Sequence, residues 1–131
     1  MPKQNAVVFD DDDLFQILFK RILNTLDVEV KSFANPDLYF CSQPGVDSCP
    51  VAVPCVDFLL TDHMMPDMTG LEFLRRAKQS GCKIPDCRKA IISGNWTDED
   101  IKKAKLLVKH VFDKSDAVKQ ISAWVGEVRG E

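Results

Sequence analysis

The chain has 131 residues, 45% of them hydrophobic and 28% charged, and 17 Lys and Arg against 20 Asp and Glu leave a formal charge of −3. That is the size and make-up of one globular domain, long enough to bury about two-thirds of its unfolded surface without staples. The charge balance excludes a nucleic-acid binder working by bulk positive charge, and no run approaches the roughly 18 apolar residues of a membrane span.

Ala6–Phe9 is a short apolar run that stops at four aspartates, Asp10 to Asp13. It is too brief for the core of a signal peptide and reads as a first strand, so a cytoplasmic protein is expected. Leu14, Leu18, Ile22 and Leu26 then repeat at i+4, with Phe15, Phe19 and Leu23 broadening the stripe. This predicts a first helix with the stripe in the core, and with Asp12 and Asp13 capping its start. Val28–Phe33 is the second strand candidate, and a shorter helix begins near Pro36. The stretch from Ser42 to Pro54 holds Pro44, Gly45, Pro50 and Pro54. It is long for a helix-to-strand connection, where about 2–6 residues is usual, and reads as an inserted surface loop away from the functional end.

Val56–Thr61 is the third strand, followed by a helix from about Leu71 to Gln79 that ends at Ser80-Gly81. Ala90–Ser93 is the fourth strand. Thr97 before Asp98, Glu99 and Asp100 is a capped start for a fourth helix, with acids at the positive end of its dipole. Lys102, Lys103, Lys105 and Lys109 read as a solvated face. Val111–Phe112 and its neighbours make the fifth strand, and a last helix carries Val118, Ile121, Val125 and Val128 on one face. The five cysteines (Cys41, Cys49, Cys55, Cys82 and Cys87) are an odd number with no CxxC spacing, so free thiols are expected.

Strands alternating with helices in this way predict an α/β fold: a doubly wound parallel sheet of five strands with five helices, as a single domain over residues 1–131. Ligands of such folds bind beyond the carboxyl ends of the strands. There the polar residues gather: Asp10 and Asp11 after the first strand, Asp62 after the third, Ser93 after the fourth, Lys114 after the fifth. Carboxylates brought to about 4–5 Å repel by roughly 3–4 kcal/mol per pair at an effective dielectric near 20. Either some protonate or a cation sits among them. An all-oxygen set suits Mg2+, which keeps waters and takes phosphate as a co-ligand. The set therefore points to phosphate chemistry, with a carboxylate nucleophile, an ammonium and a hydroxyl donor. His63, beside the site, reads as a packed side chain, Asp57 and Asp67 as turn and solvent residues, and Trp96 and Trp124 as packing.

At these residues the chain resembles the response-regulator receiver domain of two-component signalling, over essentially its whole length. The carriers are Asp10-Asp11 after an apolar strand, the loop from Asp62 through Met65-Pro66 to Gly70, Ile91-Ile92-Ser93-Gly94, and Phe112-Asp113-Lys114. The resemblance implies a flavodoxin-like three-layer sandwich with strand order 2-1-3-4-5. It implies Asp62 as phosphoacceptor from a sensor histidine kinase or histidine phosphotransfer protein. It implies Mg2+ held by Asp11, Asp62 and the Met64 backbone carbonyl, with Asp10 acting through a water. Ser93 would hydrogen-bond the phosphoryl group, Lys114 would pair with it, and Gly94 would leave the donor an open approach. The family's usual output surface is the face of the fourth helix, fifth strand and fifth helix. A stand-alone receiver is expected, with no output domain, no direct DNA binding and at most weak dimers. Its only catalysis would be its own phosphorylation and dephosphorylation.

Four residues depart from the family pattern. Val111 stands where Tyr or Phe is common, Ser115 where a proline usually follows the lysine, and Leu107-Val108 where Gly-Ala is usual. These departures suggest an alternative, a degenerate receiver that binds a partner independently of phosphorylation. Asp10-Asp11-Asp12 also superficially resembles the nucleophile motif of haloacid-dehalogenase phosphatases.

Overall fold

The computed structural model describes residues 3–36, 49 and 53–130. Its strands are β1 (Gln4–Phe9), β2 (Val28–Phe33), β3 (Phe58–Asp62), β4 (Lys89–Ser93) and β5 (His110–Asp113). They form one parallel sheet in the order β2-β1-β3-β4-β5, as expected. Every residue of β3 and β4 is buried, which is why these runs lack polar alternation. β2 lies at an edge and alternates instead, Val28 and Val30 inward, Glu29 and Lys31 outward.

Among the described residues there are four α-helices: α1 (Asp13–Thr25), α2 (Gly70–Gln79), α3 (Asp98–Lys105) and α4 (Ala117–Arg129). The sequence predicts five, one more than the structure has here. The helix expected from Pro36 lies outside the described residues, as does most of the loop from Ser42 to Pro54. The fourth and fifth helices of the sequence reading are thus α3 and α4. None of the four is long and apolar enough to cross a membrane.

Two cores sandwich the sheet. Val8, Leu60 and Ile92 pack with Phe19 and Leu23 of α1 and with Ile121 and Trp124 of α4. On the other face Val7, Phe9, Leu59 and Ile91 pack with Phe73 and Leu74 of α2 and Ala104 of α3. Three helices begin with a side-chain oxygen on a backbone N–H: Asp12 on Leu14 at 2.9 Å, Thr69 on Glu72 at 3.2 Å, Thr97 on Asp100 at 3.1 Å. Each such cap is worth about 1 kcal/mol, and each fixes where a loop at the carboxyl edge ends.

Some expectations are corrected. Leu14 is 76% exposed and Val118 57% exposed, so neither belongs to the core. The buried face of α1 is centred on Phe19, Ile22 and Leu23 with Phe15 against it, and Leu14 sits about 100° round from Phe15. Asp57 is more than a turn residue: its carboxylate accepts from the Asn5 N–H at 2.8 Å and lies 3.7 Å from Arg88. Trp124 is a packing residue, 1% exposed, with its indole N–H on the Cys87 carbonyl at 2.9 Å. Cys82 and Cys87 are free thiols, while Cys41 lies outside the described residues.

Candidate functional site

Strand register builds the site. Phe9 pairs with Thr61, so Asp10 and Asp62 leave the sheet side by side. Asp62 in turn pairs with Ile92, and Ser93 with Asp113, which places Ser93 and Lys114 along the same edge. Four strands end in a row, and their polar residues follow from that alignment.

The loop after β3 is held at both ends. His63 N–H donates to the Ile92 carbonyl and Gly70 N–H donates to the His63 carbonyl, each at 2.9 Å. Met65 and Met68 are buried under it, whereas Met64 is 58% exposed at its rim. Gly70 is required here, because a Cβ would collide with the Asp62 carbonyl oxygen. The start of α2 is thereby pressed against the backbone that carries the Asp62 carboxylate.

Carboxylate oxygens of Asp10, Asp11 and Asp62 all lie within 4.8 Å of one another, with Asp10 and Asp62 buried and Asp11 exposed. Lys114 Nζ lies 3.3 Å from Asp62 Oδ1 and 3.2 Å from Asp10 Oδ2. The ammonium also sits 4.1 Å over the ring of Phe15, a cation–π contact that helps hold the lysine at the sheet end. Asp10 Oδ1 accepts from the Asp12 N–H at 2.9 Å. Its Oδ2 is buried without a hydrogen bond, facing Lys114 as an ion pair only.

Three carboxylates against one ammonium leave a surplus of negative charge in a buried place. The titration of Asp62 reflects this. Burial, and then the charge of Asp10, push its carboxyl up to about 6 against the pull of Lys114. The carboxyl of Asp10 is raised too, chiefly by burial, with the Asp12 N–H and Lys114 opposing. Near neutral pH Asp62 is ionised in most molecules, so its oxygen is a competent nucleophile. The buried Asp10 Oδ2, with no hydrogen bond and an ammonium shared with Asp62, and the surplus charge fit a hard divalent cation at Asp10, Asp11 and Asp62.

Ser93 is buried and its Oγ accepts from the Asn95 N–H at 3.1 Å, while among the described residues nothing engages its proton. Gly94 is exposed, and a Cβ there would meet only Lys114 carbons at 3.9 Å, so the approach to the site is not blocked at this position. At Ser115 the departure from proline is used. The Ser115 N–H and Oγ both bond Asp113 Oδ1, at 2.9 and 2.8 Å, capping a 3-10 turn over Lys114–Asp116.

The sequence reading missed how Phe15 and His63 are used. Phe15 packs against the core as its place in the stripe predicts, and it also lies under Lys114. His63 is buried as expected, yet its ring stacks on Trp96 at 5.2 Å and its Nε2 lies 3.3 Å from Asp100 Oδ2. Val111 and Trp96 pack against the same core cluster.

No family model matches the chain, and no curated protein does. Many solved structures do. The signal receiver domain of a response regulator, NarL, from Mycobacterium tuberculosis is 20% identical with a TM-score of 0.75, and the match covers 100% of both chains. A CheY-like response-regulator receiver domain from Methylobacillus flagellatus is 18% identical with a TM-score of 0.74, covering 97% of this chain and 99% of that one. A BeF3-activated DrrB receiver domain is 16% identical with a TM-score of 0.70, covering 95% and 98%. The fold of this chain is that of the receiver domains.

Proposed function

On that fold, we propose that the chain is a signalling receiver that takes a phosphoryl group onto Asp62 from a phosphohistidine. The observation that carries the reading is the convergence of Asp10, Asp11 and Asp62 with Lys114 at the ends of β1, β3 and β5. A carboxylate oxygen of Asp62 forms the new bond to phosphorus as the phosphorus–nitrogen bond of the donor breaks, and the imidazole leaves with that electron pair. Lys114 moves from pairing the carboxylate to pairing the phosphoryl oxygens, so one ammonium serves both states. The Ser93 hydroxyl donates its proton in a hydrogen bond to a phosphoryl oxygen. Asp11, Asp62 and the Met64 carbonyl would ligate Mg2+, with Asp10 reaching it through water; the ion supplies charge neutralisation at the equatorial oxygens.

The donor would be a sensor histidine kinase or a histidine phosphotransfer protein. The readout would pass to a partner at the face made by α3, β5 and α4. The chain would act in the cytoplasm as a monomer or weak dimer, and its only catalysis would be on its own Asp62. The test is incubation with Mg2+ and a small phosphodonor such as a phosphoramidate, acid quenching, and mapping of the labelled residue. Label on Asp62, lost in Asp62→Asn, is the expected result. Label on Asp10 would instead favour the phosphatase-like alternative, and absence of label overturns the reading.

A further inference from the structure

Beside the site lies a group of side chains that phosphoryl chemistry does not use. His63 follows Asp62 directly, is 5% exposed, and its backbone is clamped by Ile92 and Gly70. Its backbone is therefore held directly after the residue that carries the Asp62 carboxylate. The ring lies nearly parallel to the indole of Trp96, 10° apart, and Nε2 meets the Asp100 carboxylate in the first turn of α3. The bond needs the Nε2–H form of the ring, which leaves Nδ1 buried and without a partner. Trp96 in turn donates its indole N–H to the Phe112 carbonyl of β5 at 2.7 Å, two residues before Lys114. One imidazole thus touches the loop after β4 and α3, and through Trp96 it reaches β5.

We infer that His63 is a positioning residue that couples the state of Asp62 to α3 through its bond to Asp100 and its stack on Trp96. The inference rests on Asp62 being the phosphoacceptor. Loading Asp62 draws Ser93 and Lys114 toward the added oxygens. Ser93 Oγ also holds the Asn95 N–H, next to Trp96, and Lys114 follows the strand residue pair that includes the Trp96 acceptor. Both pulls would act next to the indole, which is stacked on His63. The His63–Asp100 bond carries the resulting shift into the helix as a whole, since Asp100 is also tied by its N–H to the Thr97 cap. On this inference the loop and first turn over residues 94–100 would be the element that both contacts bias.

Two substitutions separate this role from simple packing. His63→Phe keeps a ring against Trp96 but removes Nε2. Asp100→Ala removes the acceptor at a half-exposed helix position and leaves the buried ring alone. Amide resonances of the full chain are followed during titration with Mg2+ and beryllofluoride, a phosphoryl mimic. The unsubstituted chain is expected to shift at Asp62, Ser93 and Lys114, at the Trp96 indole, and along residues 98–105. In both variants the site residues still shift with similar midpoints, while the α3 response falls about threefold or more. His63→Gln, whose amide can donate to Asp100, restores part of it. An α3 response of full size in both variants overturns the coupling alone. If the unsubstituted chain shows no shift at Asp62, the phosphoacceptor reading fails, and the coupling with it.

Discussion

Two lysines bracket β5, and they live in opposite circumstances. Lys109, just before the strand, pairs with Glu127 of α4 at 2.9 Å, and both side chains are more than half exposed. Lys114, just after the strand, faces Asp10 and Asp62 with Asp11 close by, and is 15% exposed. The first pair is one charge against one charge in water. It closes on itself, raising the lysine and lowering the glutamate in the ordinary way. Exposed pairs of that kind contribute little. At the other end one ammonium meets more carboxylates than it can neutralise, with Asp10 and Asp62 buried and Asp11 exposed beside them. There the same chemistry produces a raised Asp62, and an Asp10 oxygen buried with only the shared ammonium to face. The charge is balanced at one end of the strand and left in surplus at the other.

The largest way to break the comparison is to remove Lys114. Lys114→Met is expected to slow labelling of Asp62 by about 10²–10³-fold, the usual loss for one preorganised charge at a transition state. A time course at saturating phosphodonor and Mg2+ reads it directly. A milder loss would mean the carboxylates and the ion manage without the ammonium.

Next is the pH dependence of the metal-free chain. Asp62 is raised from 3.8 to about 6, so between those values the folded protein holds a proton that the unfolded chain has lost. Stability is therefore expected to fall as pH rises from about 4 to about 6, by roughly 3 kcal/mol from this group. Denaturant unfolding across that range checks the sign. Asp62→Asn should flatten the slope, and Mg2+ should offset the loss at the high end.

Neutralising one acid comes third. Asp10→Asn keeps the acceptor for the Asp12 N–H while reducing the crowding of charge. The metal-free variant is expected to be more stable than the parent at neutral pH, by about 1–2 kcal/mol, and to bind Mg2+ more weakly. Gain of stability with loss of function is what a functional cluster should show. The smallest effect belongs to the other lysine. Lys109→Ala should leave both the unfolding midpoint and the Asp62 labelling rate unchanged within error.

Much of this was legible in the chain because its signals are local. β2 spans Val28–Phe33 as expected, since an edge strand keeps its alternation, and the Asp12 and Thr97 caps lie within three residues of what they bond. Strand ends could be read as a site because a parallel sheet brings them together whatever lies between. What escaped is non-local. His63 and Asp100 are 37 positions apart, and nothing in either neighbourhood announces the bond. Phe15 looks like core because its spacing is that of core. It packs against that core, and it also lies under Lys114, which comes from the far end of the chain. The exposure of Leu14 fell to the same ambiguity, since a stripe broad enough to include Phe15 and Phe19 has more members than the face can bury.

The central claim is that the surplus of carboxylate around Asp62 exists to hold a divalent ion. The most direct measurement is titration of the metal-free chain with Mg2+, following the amides of Asp10 to Asp12 and of Asp62 and His63. A single saturable site is expected, with shifts confined first to those residues and abolished in Asp11→Asn with Asp62→Asn. Resonances that stay in place up to high Mg2+, in a chain that is folded, would contradict it.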